Sequence, residues 1–287
     1  MFKIRLLIVL VIIWPSTLFS GQLETGLLWK IEDSGGRTSY IFGTIHSEDA
    51  RVLDFPEVLR TALSESEIFA MELIPDLPTL SRLTKMMHYQ DGQTLEEVIG
   101  PKLYASIVAL LHEYGVPVSM ITTMKPWAVA MTISVPPPET GMFMDFSLSL
   151  RAAGMGLKVK ALETLDEQVA FLEGMLADDQ LHILQLAVDK HAELPEQLEE
   201  MIESYLSRDL DELNNVAMRQ LQETDPEMLE YFQEDGINKR NRKMFKRLEL
   251  MLAENSVFVA IGALHLGGET GLVTLLREAG YKLTPVW

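Results

Sequence analysis

The chain has 287 residues, and its 24 Lys and Arg against 42 Asp and Glu give a formal net charge of −18 at pH 7. Hydrophobic residues make up 47% and charged residues 23%, a globular composition that excludes disordered and low-complexity classes. The acidity argues against nucleic-acid binding, and the absence of Cys excludes disulfides and Cys nucleophiles, leaving His, Asp, Glu and water as possible metal ligands.

The first 20 residues have the pattern of a secretory signal peptide. Lys3 and Arg5 precede an apolar run over 6–14, which is shorter than the roughly 20 residues of a membrane-spanning helix, and small residues follow it. We predict that residues 1–20 are removed on export to the periplasm or the medium, and that 21–287 form a single domain. The alternative is a retained N-terminal segment, which would tether the protein to a membrane.

The first part of the chain predicts a β-hairpin, a helix and a third strand. The predicted elements are strands over 27–31, 39–42 and 67–73 and a helix over 56–64. The second strand runs into a Gly-x-x-His motif that begins at Gly43 and ends at His46. The third strand is apolar and ends at Glu72.

The middle of the chain, roughly 77–253, is predicted to be a long helical insertion. Within it the sequence predicts helical patterns over 77–113, 143–153, 165–229 and 238–253, a partly irregular segment over 125–140 and a strand over 157–162. The helix over 143–153 carries Asp145, and the strand is followed at once by Glu163.

The end of the chain repeats the order of its beginning. A buried strand over 256–261 runs into a second Gly-x-x-His motif, Gly262 to His265, followed by a helix over 271–279 and a strand over 280–284. Both units resemble βαβ units, which favour parallel strands. The sequence therefore predicts an α/β domain whose sheet is built from both ends of the chain and covered by the helical middle.

The two motifs place His46 and His265 at the carboxyl ends of strands, where open α/β sheets bind ligands. If the two strands are neighbours, the imidazoles converge, and Gly43 and Gly262 allow the backbone to approach a cofactor closely. Two imidazoles and the carboxylate of Glu72 suit a divalent metal with open coordination positions. The alternative is that the histidines only cap strand ends and that Glu72 is a surface carboxylate.

The motifs and their order resemble the TraB/PrgY/GumN (Tiki-like) family, in particular its GumN-like bacterial branch. The matching segments are LWKI at 28–31, YIFGTIH at 40–46, AMEL at 70–73, KPWA at 125–128, LET at 162–164, the Arg-Asn pair at 240–241 and FVAIGALH at 258–265. The resemblance implies an erythromycin-esterase-like core made of two strand–Gly-x-x-His–helix–strand units. It also implies a metal-dependent peptidase activity in some members.

The resemblance implies which residues form the site. The two motif histidines and the acidic residue that ends the first unit correspond here to His46, His265 and Glu72. The family's Arg-Asn pair corresponds to Arg240 and Asn241, which together would hold the substrate, and an Arg at this place could neutralise an oxyanion or orient a carboxylate. The alternative for Arg240 is an ordinary charge on a helix surface.

Two more carboxylates, Asp145 and Glu163, fall on acidic positions that recur in the family. Either could position a water molecule in the site. Glu163 follows a strand as Glu72 does, so it could reach the same crevice. The alternative for Glu163 is hydrogen bonding to the amides of the helix that follows it.

These residues together predict an exported metal-dependent hydrolase that uses Mn, Co or Zn and acts on peptides or proteins. One alternative is a non-enzymatic protein that binds a peptide or a glycan in the same crevice. Another is a metal-free hydrolase in which His46 and His265 act as acid and base.

Overall fold

A six-stranded mixed sheet forms the centre of the computed structural model, which describes residues 25–221 and 226–287. The predicted leader over 1–20 lies outside the described residues. The strands are β1 (Leu28–Glu32), β2 (Thr38–Thr44), β3 (Ile68–Met71), β4 (Lys158–Ala161), β5 (Val257–Gly262) and β6 (Lys282–Pro285). Their order across the sheet is β4-β3-β5-β2-β1-β6.

The two strands that carry the Gly-x-x-His motifs are parallel neighbours. Strand β5 pairs with β2 on one side and β3 on the other, and Thr44 pairs with Gly262 at the last position of the β2–β5 register. Strand β4 continues the parallel part beyond β3, whereas β1 is antiparallel to both β2 and β6. The predicted hairpin is confirmed, and the two motif strands are neighbours, which is the condition for the motif histidines to converge. Within each unit, however, the two strands are not neighbours, because other strands lie between them.

Helices from the rest of the chain surround this sheet. The first half contributes α1 (Ala50–Leu53), α2 (Glu57–Ser64), α3 (Leu77–Met86), α4 (Leu95–Ile99), α5 (Pro101–Glu113), α6 (Val118–Ile121), α7 (Pro126–Ile133) and α8 (Met144–Gly154). The second half contributes α9 (Leu165–Glu173), α10 (Ala177–Asp189), α11 (Leu194–Ser207), α12 (Leu210–Gln220), α13 (Pro226–Tyr231), α14 (Lys239–Leu252) and α15 (Leu272–Glu278). Short 3-10 turns lie at His191–Glu193 and Ala263–His265, and a π-helical segment lies at Phe232–Asn238. Over 25–221 and 226–287, none of these helices is long and apolar enough to cross a membrane.

The apolar residues form two separate clusters. The first joins the sheet to the helices packed on it, and it includes nearly all of β5, whose residues Val257 to Ile261 are buried. A parallel strand in the middle of a sheet is covered on both faces, which explains why β5 is a continuous apolar run. The second cluster lies among helices of the predicted insertion and contains Leu95, Ile107 and Leu184. The insertion thus has its own core, while β4 from within it completes one edge of the sheet.

Helix α9 is fixed at its first turn by a capping box and an ion pair. The hydroxyl of Thr164 accepts the backbone N–H of Glu167 at 3.3 Å, and the Glu167 carboxylate accepts the backbone N–H of Thr164 at 2.9 Å. Arg247 of α14 donates to both oxygens of the same carboxylate at 2.7 and 2.9 Å. The hydrogen bonds from Arg247, followed by those at Thr164, lower the pKa of Glu167 to about 2.

We expect Glu167→Gln to lower the free energy of unfolding by about 1–3 kcal/mol at pH 7. Because the pKa of Glu167 is lower in the folded than in the unfolded chain, the stabilisation is present above the unfolded value and is lost as the pH falls towards 2. Urea unfolding measures the difference in free energy of unfolding between the variant and the wild type. We expect this difference to be about half as large at pH 3 as at pH 7. Asp166→Asn, which removes a pair between two exposed side chains, serves as the control and should change little. An equal loss at both pH values would contradict this assignment.

Candidate active site

The carboxyl ends of β2, β3 and β5 open into a cleft. Two cavities of about 920 and 820 Å³ meet there. The walls of both contain Thr44, His46, Glu72, Arg240 and Gly262. These residues therefore lie where the two cavities join, at the sheet edge where parallel α/β proteins bind ligands.

Two carboxylates and one guanidinium form the polar centre of this junction. Arg240, in the first turn of α14, donates from Nη2 to Glu72 at 2.7 Å and from Nε and Nη2 to Glu163 at 3.0 and 2.5 Å. The Glu163 side chain is 0% exposed and that of Arg240 is 16% exposed. The strand register brings the carboxylates together, because the backbone N–H of Glu163 donates to the carbonyl of Glu72 at 2.9 Å. Arg240 is thus an internal counter-ion and not a surface charge.

The Glu72 carboxylate is held on both oxygens. Its Oε1 accepts the backbone N–H of Gly262 at 2.8 Å, and its Oε2 accepts Arg240 and a longer contact from Gln168 at 3.4 Å. Burial alone would raise the pKa of Glu72, but His265 and Arg240 outweigh burial and hold that pKa below its usual value. Glu72 is therefore ionised at neutral pH.

His265 is buried, and its hydrogen bonds define its tautomer. Its Nδ1 lies 2.6 Å from Oδ1 of Asn241, whose Nδ2 donates to the carbonyl of Thr270 at 3.0 Å. Because the Asn241 oxygen accepts, Nδ1 of His265 carries the proton. Burial lowers the pKa of His265, so the ring is neutral and Nε2 keeps a free lone pair. That nitrogen lies 3.9 Å from Oε1 of Glu72, beyond hydrogen-bond distance.

His46 lies on the same cleft with different neighbours. Its ring stacks on Phe143 with centroids 4.1 Å apart, and its Nδ1 lies 3.4 Å from Oδ2 of Asp145. The other oxygen of Asp145 accepts the hydroxyl of Thr44 at 2.5 Å. The His46 side chain is 64% exposed, unlike that of His265. The structure thus pairs each motif histidine with a different polar side chain.

The two motif glycines have different surroundings. A Cβ at Gly43 would lie 2.6 Å from Cδ1 of Leu266 and 3.0 Å from Cα of Ala263, so Gly43 allows the second motif to pack on the first. A Cβ at Gly262 would lie 3.3 Å from Oε1 of Glu72, the oxygen to which its own N–H donates. Gly262 thus leaves room for the site carboxylate, and the cofactor contact stays a prediction for both glycines.

The sequence of the chain matches the model of a known protein family. The model of the TraB/PrgY/gumN family matches residues 27–285, which include every residue of the junction. The chain belongs to this family. No solved structure gives a significant match.

The curated relatives within this family that match the chain are named metalloproteases. Metalloprotease TIKI1 of Danio rerio is 26% identical over 89% of this chain and 62% of its own length. Metalloprotease TIKI2 of Xenopus tropicalis is 27% identical over 85% of this chain and 57% of its own length. The metalloprotease TIKI homolog of Amphimedon queenslandica is 23% identical over 91% of this chain and 61% of its own length. The chain therefore spans about three fifths of the length of these relatives.

The name of these relatives implies a bound metal ion, and the site offers two of the side chains that such an ion needs as ligands. Ionised Glu72 and the lone pair on Nε2 of His265 are suitable donors for two positions around a divalent ion. His46 is paired with Asp145 and does not join them. Within 25–221 and 226–287, no group of three or more His, Asp or Glu side chains is arranged to hold a metal ion.

Two polar residues of the junction were missed from the sequence. Gln168 donates from Nε2 to Glu163 at 3.2 Å and so connects the two carboxylates from α9. Thr44 lies inside the first motif and binds Asp145. A glutamine on an amphipathic helix carries no signal of its own, but Thr44 could have been found, because it lies at the end of a strand that points into the cleft.

Proposed function

We propose that this protein is an exported, metal-dependent hydrolase of peptides or proteins, built on an erythromycin-esterase-like core. The observation that carries the proposal is the pair formed by Nε2 of His265 and Oε1 of Glu72. An unprotonated imidazole nitrogen and an ionised carboxylate lie 3.9 Å apart just beyond the ends of two neighbouring strands, and both line a cleft. The metalloprotease names of the relatives support the same reaction class.

In this proposal His265 and Glu72 would hold a Mn, Co or Zn ion, and His46, which faces Asp145 in the structure, would turn towards them as the third ligand. His46 is the candidate because it lines both cavities and its ring is exposed. A divalent ion bound there supplies a Lewis acid that polarises the carbonyl group of the bond to be cleaved.

The remaining site residues prepare this centre for the reaction. Arg240 keeps Glu72 ionised and fixes its orientation, while Glu163 balances the charge of Arg240. Asn241 keeps the proton of His265 on the nitrogen that faces away from the cleft. Asp145 lies within reach of His46 and can accept a proton from an attacking water molecule.

The proposal is tested by metal stoichiometry and peptide hydrolysis on the same samples. We expect about one Mn or Co ion per chain in the wild type, no tightly bound ion in His265→Ala, and hydrolysis that stops on chelation and returns with metal. His112→Ala, at an exposed position on α5, is the matched control and should keep both metal and activity. A folded His265→Ala variant that retains its metal would contradict the assignment.

A metal-free hydrolase is a second candidate, favoured by one observation. Each motif histidine already has an orienting partner, Asp145 for His46 and Asn241 for His265, as acid and base residues require. This candidate predicts hydrolysis that survives chelation. Saturable peptide binding without turnover, with or without metal, would instead support the non-enzymatic alternative.

A further inference from the structure

The larger cavity at the junction, of about 920 Å³, has mostly apolar walls, and we call it the apolar chamber. Helices α3, α7, α9 and α10 all contribute to it. The apolar side chains that line it include Leu80, Leu83, Trp127, Met131, Leu172 and Ile183, of which Met131 and Ile183 also line the second cavity. Its polar end is the junction itself, with Glu72 and Arg240. The chamber is therefore continuous with the site where the reaction is proposed to occur.

Apolar surface of this chamber is in contact with solvent. Leu80 is 45% and Met131 is 52% exposed, although both line the cavity, whereas Trp127 beside them is 3% exposed. Exposed apolar surface inside a concave site is typical of a place that a ligand covers. Covering it with an apolar group removes both surfaces from water, which favours binding.

The aromatic wall of the chamber is closely packed. The ring of Phe171 packs edge-on against Phe232 at 5.4 Å and stacks on Tyr231 at 5.5 Å. The same ring lies over Gly236, where a Cβ would come within 3.1 Å of it. The carbonyl of Gly236 in turn accepts Nη1 of Arg240 at 3.2 Å. One π-helical segment, Phe232–Asn238, thus positions both the apolar wall and the guanidinium of the polar end.

We propose that the apolar chamber is the subsite for a bulky apolar side chain of the substrate, such as Phe, Leu or Met, next to the bond to be cleaved. The inference rests on the proposed function, because it takes a peptide as substrate. A volume of about 920 Å³ is near the upper end of the roughly 300–1,000 Å³ of typical ligand pockets, so the chamber accommodates a large apolar side chain together with neighbouring peptide residues. When the backbone of such a peptide runs from the chamber through the junction, the neighbouring peptide bond lies beside Glu72 and Arg240.

The charge of the junction selects against acidic side chains at the same place. Glu72, Glu163 and Asp145 together carry three carboxylates, and Arg240 pairs with only two of them. An acidic side chain entering from this end would meet an excess of negative charge and would lose its hydration in an apolar cavity. The negative charge at the polar end and the apolar surface inside the chamber therefore favour the same class of substrate, a peptide with a bulky apolar side chain.

The test uses peptides of the form acetyl-Ala-Ala-X-Ala-Ala-amide, with X as Phe, Leu, Ala or Asp. Binding is measured by calorimetry on the chelated protein, so that no turnover occurs. We expect the Phe and Leu peptides to bind at least about tenfold more tightly than the Ala peptide, and the Asp peptide most weakly.

Met131→Glu should reduce the ratio of the affinities for the Phe and Ala peptides several-fold. Its matched control is Leu250→Glu on α14, an exposed position outside the chamber that should leave the ratio unchanged.

Equal affinity for the Phe and Ala peptides in the wild type would overturn the proposed subsite, as would equal effects of Met131→Glu and Leu250→Glu. Hydrolysis of the same peptides after metal loading separates this inference from the proposed function. Tight binding of the Phe peptide without any cleavage supports the chamber and overturns the hydrolase. Cleavage at equal rates for X as Phe and Ala supports the hydrolase and overturns the chamber.

Discussion

Replacing Arg240 by Ala is expected to lower the free energy of unfolding by about 3–5 kcal/mol, because it leaves buried carboxylates without a counter-ion. The guanidinium donates to Glu72 and Glu163, and the Glu163 side chain has no contact with solvent. Without Arg240 the two carboxylates repel each other in a largely buried site. One of them must take up a proton or move, and either response disturbs the pairing that orients Glu72 in the site.

The size of this loss separates a buried counter-ion from a surface charge. Arg242 lies two residues away on the same helix and pairs with Glu234, with both side chains exposed, so Arg242→Ala should cost less than about 1 kcal/mol. Adding Glu163→Gln to Arg240→Ala should recover part of the stability, because one unpaired charge disappears. Urea unfolding at pH 7 gives the free energy of unfolding of each of these variants. A similar loss for Arg240→Ala and Arg242→Ala would show that the carboxylates do not depend on Arg240.

The strands and the two histidine motifs were predictable from the sequence for a clear physical reason. The buried strand β5 is apolar at every position from 257 to 261, and both motifs put a glycine where a strand ends. Such local signals locate the elements well. The strand order is a different matter, because pairing depends on contacts between distant parts of the chain. The position of β5 between β2 and β3 therefore had to come from the structure.

The sequence identified several residues that the structure brings together, but it did not reveal their contacts. Glu72, Glu163, Arg240 and His265 do come together, since they lie at the ends of neighbouring strands or in the first turn of a helix that faces them. His46 also reaches the cleft, yet its side chain turns towards Asp145 and Phe143. Strand position determines where a backbone ends, whereas the side-chain rotamer depends on neighbours that the sequence does not reveal.

Asn241 is the residue whose predicted role changes most in view of the structure, from holding a substrate to positioning His265. It is buried, and its amide connects Nδ1 of His265 to the carbonyl of Thr270. Partners of this kind fix the tautomer and orientation of a metal-binding imidazole, and their loss typically costs about 10–100-fold in metal affinity or activity. We therefore expect Asn241→Leu to weaken Co or Mn binding by about that factor.

A second variant separates positioning from simple structural support. Asn241→Asp keeps an oxygen that accepts from His265 but loses the donor to Thr270, so we expect reduced stability with metal affinity close to that of the wild type. Asn241→Leu loses both contacts and should reduce both quantities. Nitrogen chemical shifts of His265 give a readout that needs no metal: the proton should stay on Nδ1 in the wild type and in Asn241→Asp, and lose its fixed position in Asn241→Leu. If both variants weaken metal binding equally, Asn241 supports the fold and does not orient the histidine. If only the leucine variant does so, one buried amide determines which nitrogen of His265 faces Glu72.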